Sequence, residues 1–209
     1  MDVRQCDRGM IFKLFNIEFQ ISVPFAVMFA FLLVTDKTGF MSASLLAVVL
    51  HEIGHLIWMK KCRTAPKSVK MSLGGVLMVG SAFCTAKESI SIALAGPIVN
   101  FLFTVVFYSL GVYFDNVLLA AFGVVQFLVG AINLLPVKGL DGGTVLTVLL
   151  EKYSKRNVAL IVKLVSFCVS VGVLVLGIAV AVKNTSNPSL LLLGIYLIIL
   201  NISRMGLYD

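Results

Sequence analysis

Two histidines, four residues apart, are the first side chains in the sequence that could do chemistry. The chain has no other histidine, and the pair lies in His51-Glu52-Ile53-Gly54-His55. On a helix, residues i and i+4 share a face, so both imidazoles could reach one ion. Glu52 is displaced around the helix and could approach a water molecule beside that ion. This H-E-x-x-H spacing is typical of zinc hydrolases, in which the histidines bind the metal and the glutamate is a general base.

The alternative is that these are buried polar side chains satisfied by neighbouring helices. That alternative is expensive, because a glutamate inside an apolar segment costs free energy and usually has a function. Gly54 would also weaken the helix without local gain, unless another part of the chain approaches the backbone closely. The sequence therefore favours a metal site over a packing role.

A catalytic zinc site needs a third protein ligand, and Asp141 is the best candidate. Most of the ten acidic residues lie in tails, at the ends of apolar segments or in charged surroundings. Asp141 instead follows Asn133-Leu134-Leu135-Pro136, where the proline should end a helix, and it lies among glycines. We predict that the chain runs extended here and that a helix restarts at 143–152. The competing interpretation makes Asp141 a solvated N-cap of that helix.

The composition places these residues in a membrane protein. Hydrophobic residues make up 59% of the 209 residues and charged residues 13%, against roughly 45–50% and 25% in soluble domains. This excludes a disordered chain, a coiled coil and an ordinary water-soluble domain. The 17 basic residues exceed the 10 acidic ones, which we interpret as a mark of cytoplasmic loops. The expected surroundings are a lipid bilayer, with no nucleic acid as a partner.

The apolar segments predict an all-α polytopic membrane protein with about six transmembrane helices. A short membrane-embedded β-hairpin, or a re-entrant piece, is expected at 71–83, between the second and third spans. Most basic residues fall on one side of this arrangement, and only Lys37 and Lys183 fall on the other, so both termini are predicted to be cytoplasmic. The chain is expected to form one integral-membrane domain, 1–209, whose motifs occupy about 40–152. The predicted spans are 19–35, 40–59, 90–112, 117–136, 158–182 and 189–203.

Together these motifs resemble the site-2 protease family of intramembrane zinc metalloproteases, and most closely its stage IV sporulation protein FB branch. The resemblance implies that His51, His55 and Asp141 bind zinc and that Glu52 activates the water. It also implies that Asn133 helps to hold the substrate backbone or the tetrahedral intermediate. The matching segments, in chain order, are His51 to His55, Gly74-Gly75, Ala95-Gly96-Pro97-Ile98-Val99-Asn100 and Asn133 to Gly143.

Further expectations follow from this resemblance. The hairpin at 71–83 resembles the family's membrane-embedded hairpin, whose edge could pair with an unwound substrate strand. Gly96-Pro97 should let the third span kink or pack closely, and Asn100 should bond across helices; both are expected to be structural more than catalytic. We expect neither a PDZ nor a CBS domain in this chain. A regulatory membrane protein, or substrate availability, would then control the activity.

The predicted function is that of a zinc metalloendopeptidase that cleaves membrane-associated proteins in or near their transmembrane segments. The substrate would be a pro-sigma or anti-sigma factor, and the expected location is a bacterial cell membrane. A catalytically silent regulator of the same fold is the main alternative. A metal transporter is disfavoured because the ionisable residues cluster on one side of the membrane. A different zinc protease, with Glu88 or Glu151 as third ligand, is weaker.

Overall fold

The computed structural model describes residues 9–14, 17–37, 39–64, 66–72, 75–80, 84–153, 157–183 and 189–203. Helices dominate these residues, and four short strands lie before and between the first long helices. In chain order the elements are β1 (Gly9–Leu14), β2 (Ile17–Ser22), α1 (Val23–Thr35), α2 (Phe40–Lys61), β3 (Pro66–Ser72), β4 (Gly75–Gly80), α3 (Ala86–Tyr113), α4 (Val117–Asn133), α5 (Asp141–Tyr153), α6 (Val158–Lys183) and α7 (Ser189–Ser203).

Within the described residues, three helices are long and apolar enough to cross a membrane: α2, α3 and α6. Helices α4 and α7 are apolar but have only 17 and 15 residues, and α1 has 13. At 1.5 Å per residue, α1 is about 20 Å long, whereas the bilayer core is about 30 Å thick. Every predicted span coincides with a helix, but the number six stays a prediction.

Two predicted span boundaries were wrong. The first span was expected to begin at residue 19, but residues 17–22 form β2 and the helix begins at Val23. The fourth was expected to reach residue 136, but α4 ends at Asn133. The second difference has a local cause, because Pro136 disfavours helical backbone in the residue before it.

The strands form one sheet in the order β1-β2-β3-β4, so the fold is not purely helical. β3 and β4 are antiparallel and form the expected hairpin, which begins at Pro66 instead of residue 71. Residues 73, 74 and 81–83 of the predicted hairpin lie outside the described residues. The antiparallel pair β1–β2 was not predicted, and β2 joins it to β3 by parallel pairing. Stacked Phe12 and Phe19 rings, 5.3 Å apart, stabilise the β1–β2 pair.

Glycines let the long helices approach closely. A Cβ added at Gly54 of α2 would lie 2.9 Å from the carbonyl oxygen of Ala95 in α3. A Cβ at Gly123 of α4 would lie 2.7 Å from the backbone nitrogen of Tyr108 in α3. Small residues at such crossings allow backbone contact in membrane proteins. As a result α3 packs closely against both α2 and α4, and α2 and α4 also contact each other.

The connection between α4 and α5 is anchored to the C-terminal helices. Val137 is fully buried and packs with Leu197 and Leu200 of α7. The backbone N–H of Lys138 donates to Ser166 Oγ of α6 at 2.8 Å, and Ser166 Oγ donates to the carbonyl oxygen of Pro136 at 3.4 Å. A break between α4 and α5 was predicted and is confirmed. The prediction that the chain runs extended there was wrong, because the connection is a run of turns in which the N–H groups of Val137 and Leu140 donate to the carbonyl oxygens of Leu135 and Val137. The restart at residue 143 was wrong, because α5 already begins at Asp141.

Candidate metal centre

The two histidines lie side by side on the buried face of α2. Their side chains are almost inaccessible, with 3% of His51 and 7% of His55 exposed. The two Nε2 atoms are 3.1 Å apart, and the rings are nearly perpendicular. The i, i+4 spacing therefore does what the sequence predicted, and brings two imidazole nitrogens to one point.

Asp141, the first residue of α5, completes a group of three. Its Oδ2 atom is 3.0 Å from His51 Nε2 and 3.3 Å from His55 Nε2. In the part of the chain that the structure describes, this is the only group of three histidine, cysteine or acidic residues close enough to share an ion. The alternative ligands lie elsewhere: Glu88 caps α3 by bonding Thr85, and Glu151 is exposed near the end of α5.

The hydrogen bonds of the two rings fix which nitrogen carries the proton. His55 Nδ1 lies 2.8 Å from the carbonyl oxygen of Ile92, which can only accept, so Nδ1 is the donor. His51 Nδ1 lies 2.6 Å from Asn100 Oδ1 and donates to it. In the neutral form of each ring, Nε2 is then the unprotonated nitrogen, and it faces Asp141. Such bonds to the far nitrogen of a metal-binding histidine are the usual way to fix its tautomer.

A cation would remove the repulsion between the acceptor atoms of this cluster. Two imidazole lone pairs and a carboxylate oxygen converge, and buried Asp141 Oδ2 has no hydrogen-bond partner among the described residues. Three acceptors that face one another without a proton repel, and a positive ion between them reverses the sign. Tetrahedral zinc, with ligands at about 2.0–2.1 Å, would hold them about 3.3 Å apart, close to the observed 3.0–3.3 Å. The residues therefore fit zinc.

Gly96 of α3 leaves room for this group. A Cβ added there would lie 2.7 Å from His51 Cε1 and 2.8 Å from His51 Nε2, and closer still to His55 Nε2. No side chain fits at such distances, so the absence of a Cβ lets α3 contact both imidazoles. The predicted close packing at Gly96-Pro97 is confirmed, and Pro97 lies buried inside α3.

The other two predicted site residues differ in placement. Glu52 is half-buried beside the histidines and interacts electrostatically with His51, His55 and Asp141. Asn133 ends α4, and its Nδ2 donates to the carbonyl oxygen of Val129 in its own helix, at 3.0 Å. No described bond joins Asn133 to the three ligands, so its substrate-binding role stays a prediction.

Sequence reasoning undervalued Asn100 and overlooked Gln126. Asn100 was expected to bond across helices, which it does, but one of its partners is a metal-site histidine. Gln126 of α4 accepts from Asn100 Nδ2 at 2.6 Å, and both side chains are fully buried. The available signal was chemical, because amides in apolar spans are uncommon and tend to mark function.

Comparisons with known proteins agree with this geometry. The family model described as Peptidase family M50 matches residues 39–117 and 115–177, which together are more than half of the chain. A zinc metalloprotease of Methanocaldococcus jannaschii is 28% identical over 158 residues, which are 68% of this chain and 45% of that protein. The chain thus spans less than half of that relative. The solved site-2 protease from Methanocaldococcus jannaschii matches 96% of this chain and 97% of its own, with a TM-score of 0.69 and 20% identity. That likeness shows a shared fold.

Proposed function

The chain belongs to peptidase family M50, and from that premise we propose that it is an intramembrane zinc metalloprotease. The observation that carries the proposal is the convergence of His51, His55 and Asp141, with Glu52 beside them. Two of the three ligands lie within a helix long and apolar enough to cross a membrane. The chemistry would therefore take place in or near the bilayer.

The residues divide the work of peptide hydrolysis. When bound, zinc polarises the scissile carbonyl and makes water a better nucleophile at neutral pH. Glu52 accepts a proton from the attacking water and passes it to the leaving amide nitrogen. The Nε2 atoms of His51 and His55 and the Oδ2 atom of Asp141 hold the metal. The turns at 134–140 interrupt the helices directly before Asp141, and we propose this break as the route by which water reaches the site.

The substrate would be a membrane-associated protein that offers an extended segment. A transmembrane helix hides its amides in internal hydrogen bonds and must be unwound before hydrolysis. β1 and β4 are the edge strands of the sheet, and an edge strand can pair with an added strand. We propose that an unwound substrate pairs at β4 and that Asn133 helps to hold its backbone. The motif resemblance to the sporulation branch supports a pro-sigma or anti-sigma factor as substrate.

Orientation and partners belong to the same proposal. The excess of lysine and arginine on one side supports cytoplasmic termini, with the metal site near the cytoplasmic ends of α2 and α4. A bacterial cell membrane is the proposed location, and a regulatory membrane protein is the proposed further partner. Modifying cysteines introduced at positions 37 and 138 with an impermeant reagent tests the orientation, because the two should react from opposite sides.

The decisive experiment compares cells that express the wild type or Glu52→Gln. The substitution keeps the shape of the side chain and removes its basicity, while the three ligands remain. We expect peptides with new termini in or beside transmembrane segments in the wild type only, and equal zinc content in both purified proteins. Glu151→Gln changes an exposed acid at the far end of α5 and should behave like the wild type.

The two outcomes separate the proposed enzyme from its main alternative. Cleavage that survives in Glu52→Gln would remove the proposed general base. A zinc-loaded wild type that produces no new termini, in cells that contain its natural membrane proteins, would favour a catalytically silent regulator of the same fold.

A further inference from the structure

Two fully buried side-chain amides, those of Asn100 and Gln126, form a chain of hydrogen bonds that ends at His51. Asn100 of α3 accepts from His51 Nδ1 at 2.6 Å. Its Nδ2 donates to the carbonyl oxygen of Ala47 at 3.3 Å and to Gln126 Oε1 of α4 at 2.6 Å. The line therefore runs from α4 through α3 to the ring on α2.

The partners leave Asn100 one orientation. The carbonyl oxygen of Ala47 can only accept, so the atom that faces it must be Nδ2. Oδ1 then faces His51, and the ring must donate from Nδ1. Gln126 Oε1 takes the second Nδ2 hydrogen, and a rotated Asn100 amide would face the carbonyl oxygen of Ala47 with its own oxygen. The orientation of Asn100 thus decides the tautomer of His51.

Gln126 is otherwise hard to explain in this position. It lies in an apolar helix, and its buried Nε2 has no hydrogen-bond partner among the described residues. An unpaired buried donor costs free energy that a methionine or leucine would not cost. What the amide contributes in return is the acceptor that fixes Asn100.

We propose that Asn100 and Gln126 are positioning residues, an amide relay through which α4 sets the affinity of the site for zinc. The relay rests on the proposed metal site and adds to it a determinant outside the ligands. It acts on His51 alone, because His55 is oriented by the backbone carbonyl of Ile92, which no side-chain substitution removes. Neither amide contacts the three ligating atoms.

The test uses the full-length protein in detergent and measures zinc affinity by chelator competition. Gln126→Met keeps the side-chain length and removes the acceptor, and we expect zinc binding to weaken about tenfold. Asn100→Leu should weaken it about 10- to 100-fold, the range found for partners of metal-bound histidines. Gln126→Glu is the matched control, because it retains an acceptor oxygen for Asn100 Nδ2, and it should stay within about threefold of the wild type.

A double variant separates a relay from mere packing. If Gln126 acts through Asn100, adding Gln126→Met to Asn100→Leu should weaken zinc binding no further. The visible absorption bands of the Co2+-loaded protein should shift in Gln126→Met and not in Gln126→Glu. Independent, additive losses in the double variant would overturn the relay, as would wild-type zinc affinity and Co2+ bands in Gln126→Met.

The outcomes keep this proposal apart from the proteolytic one. A wild type that binds zinc but cleaves nothing would refute the protease while the affinity series still supports the relay. A wild type that binds no zinc would overturn both. If Asn100→Leu does not fold, the comparison of Gln126→Met with Gln126→Glu still decides, since glutamate offers Asn100 Nδ2 a strong acceptor oxygen and methionine offers at most a weakly accepting sulfur.

Discussion

Replacing Gly96 with alanine should damage the metal site without damaging the helix that carries it. The new Cβ would lie 2.7 Å from His51 Cε1 and 2.8 Å from His51 Nε2, where ordinary contact begins at 3.4 Å. His51 or the new Cβ must therefore move by at least about 0.6–0.7 Å, and the closer His55 Nε2 requires more, whereas metal–ligand distances tolerate about 0.2 Å. The rings cannot simply swing away, because His51 is bonded to Asn100 and His55 to the backbone of Ile92.

The helix itself should gain from the same substitution. Alanine stabilises a helix interior by about 1 kcal/mol relative to glycine. The strain of the new contact opposes this gain. The metal-free variant should therefore unfold at about the same temperature as the metal-free wild type. Zinc affinity should fall at least about tenfold, or about 1.4 kcal/mol. Chelator competition measures the affinity, and circular dichroism on heating measures the stability of the metal-free form.

Gly172 offers the matched control. It is exposed in α6, and a Cβ added there meets no atom within 4 Å. Gly172→Ala should gain helix stability and leave zinc affinity unchanged. Wild-type zinc affinity in Gly96→Ala would refute the packing argument. Unfolding of metal-free Gly96→Ala would show that the space at Gly96 serves the crossing of α2 and α3 more than the metal.

Two further predictions concern Asp141 and the connection that positions it. Asp141→Asn removes the charge and keeps the shape, so zinc affinity should fall by about two orders of magnitude in chelator competition; retained affinity would exclude Asp141 as a ligand. Ser166→Ala removes the bonds to Lys138 and Pro136, and we expect a loss of about 1–3 kcal/mol in unfolding free energy, together with weaker zinc binding. Ser170→Ala, whose hydroxyl does not reach the connection, should cost stability alone; an equal loss of zinc affinity in both serine variants would contradict this assignment.

Site features that depend on residues close together in the sequence could be predicted, and features that depend on distant residues were harder to predict. The pairing of His51 with His55 is local, because helical periodicity alone sets it. Asp141 could be predicted only by elimination, since it lies 86 positions after His55 and no periodicity links them. The structure places Asp141 beside both histidines, and the elimination was possible because apolar spans leave few acidic candidates. Gln126 was missed because its partner, Asn100, lies on another helix. A single amide in an apolar segment does not indicate from sequence which side chain it bonds.

In the fold, too, the features determined locally were predicted and those that depend on distant partners were not. Long apolar segments predicted the helices well, since burial in a bilayer demands internal backbone hydrogen bonding. The pair β1–β2 was not predicted, because its segments are short and because strand formation depends on the pairing partner more than on the composition of the strand itself. The run of apolar residues led to a predicted span that reaches residue 136. Helix α4 ends earlier, at Asn133, because Pro136 disfavours helical backbone before it.

The metal site joins two parts of the molecule that are anchored separately. His51 and His55 are oriented from α3, with Gln126 of α4 behind them. Asp141 directly follows a connection that is held by Ser166 of α6 and by packing against α7. Without a cation, three acceptors face one another across this junction and favour separation of the two parts. A bound ion would reverse that preference and would therefore stabilise the junction around it.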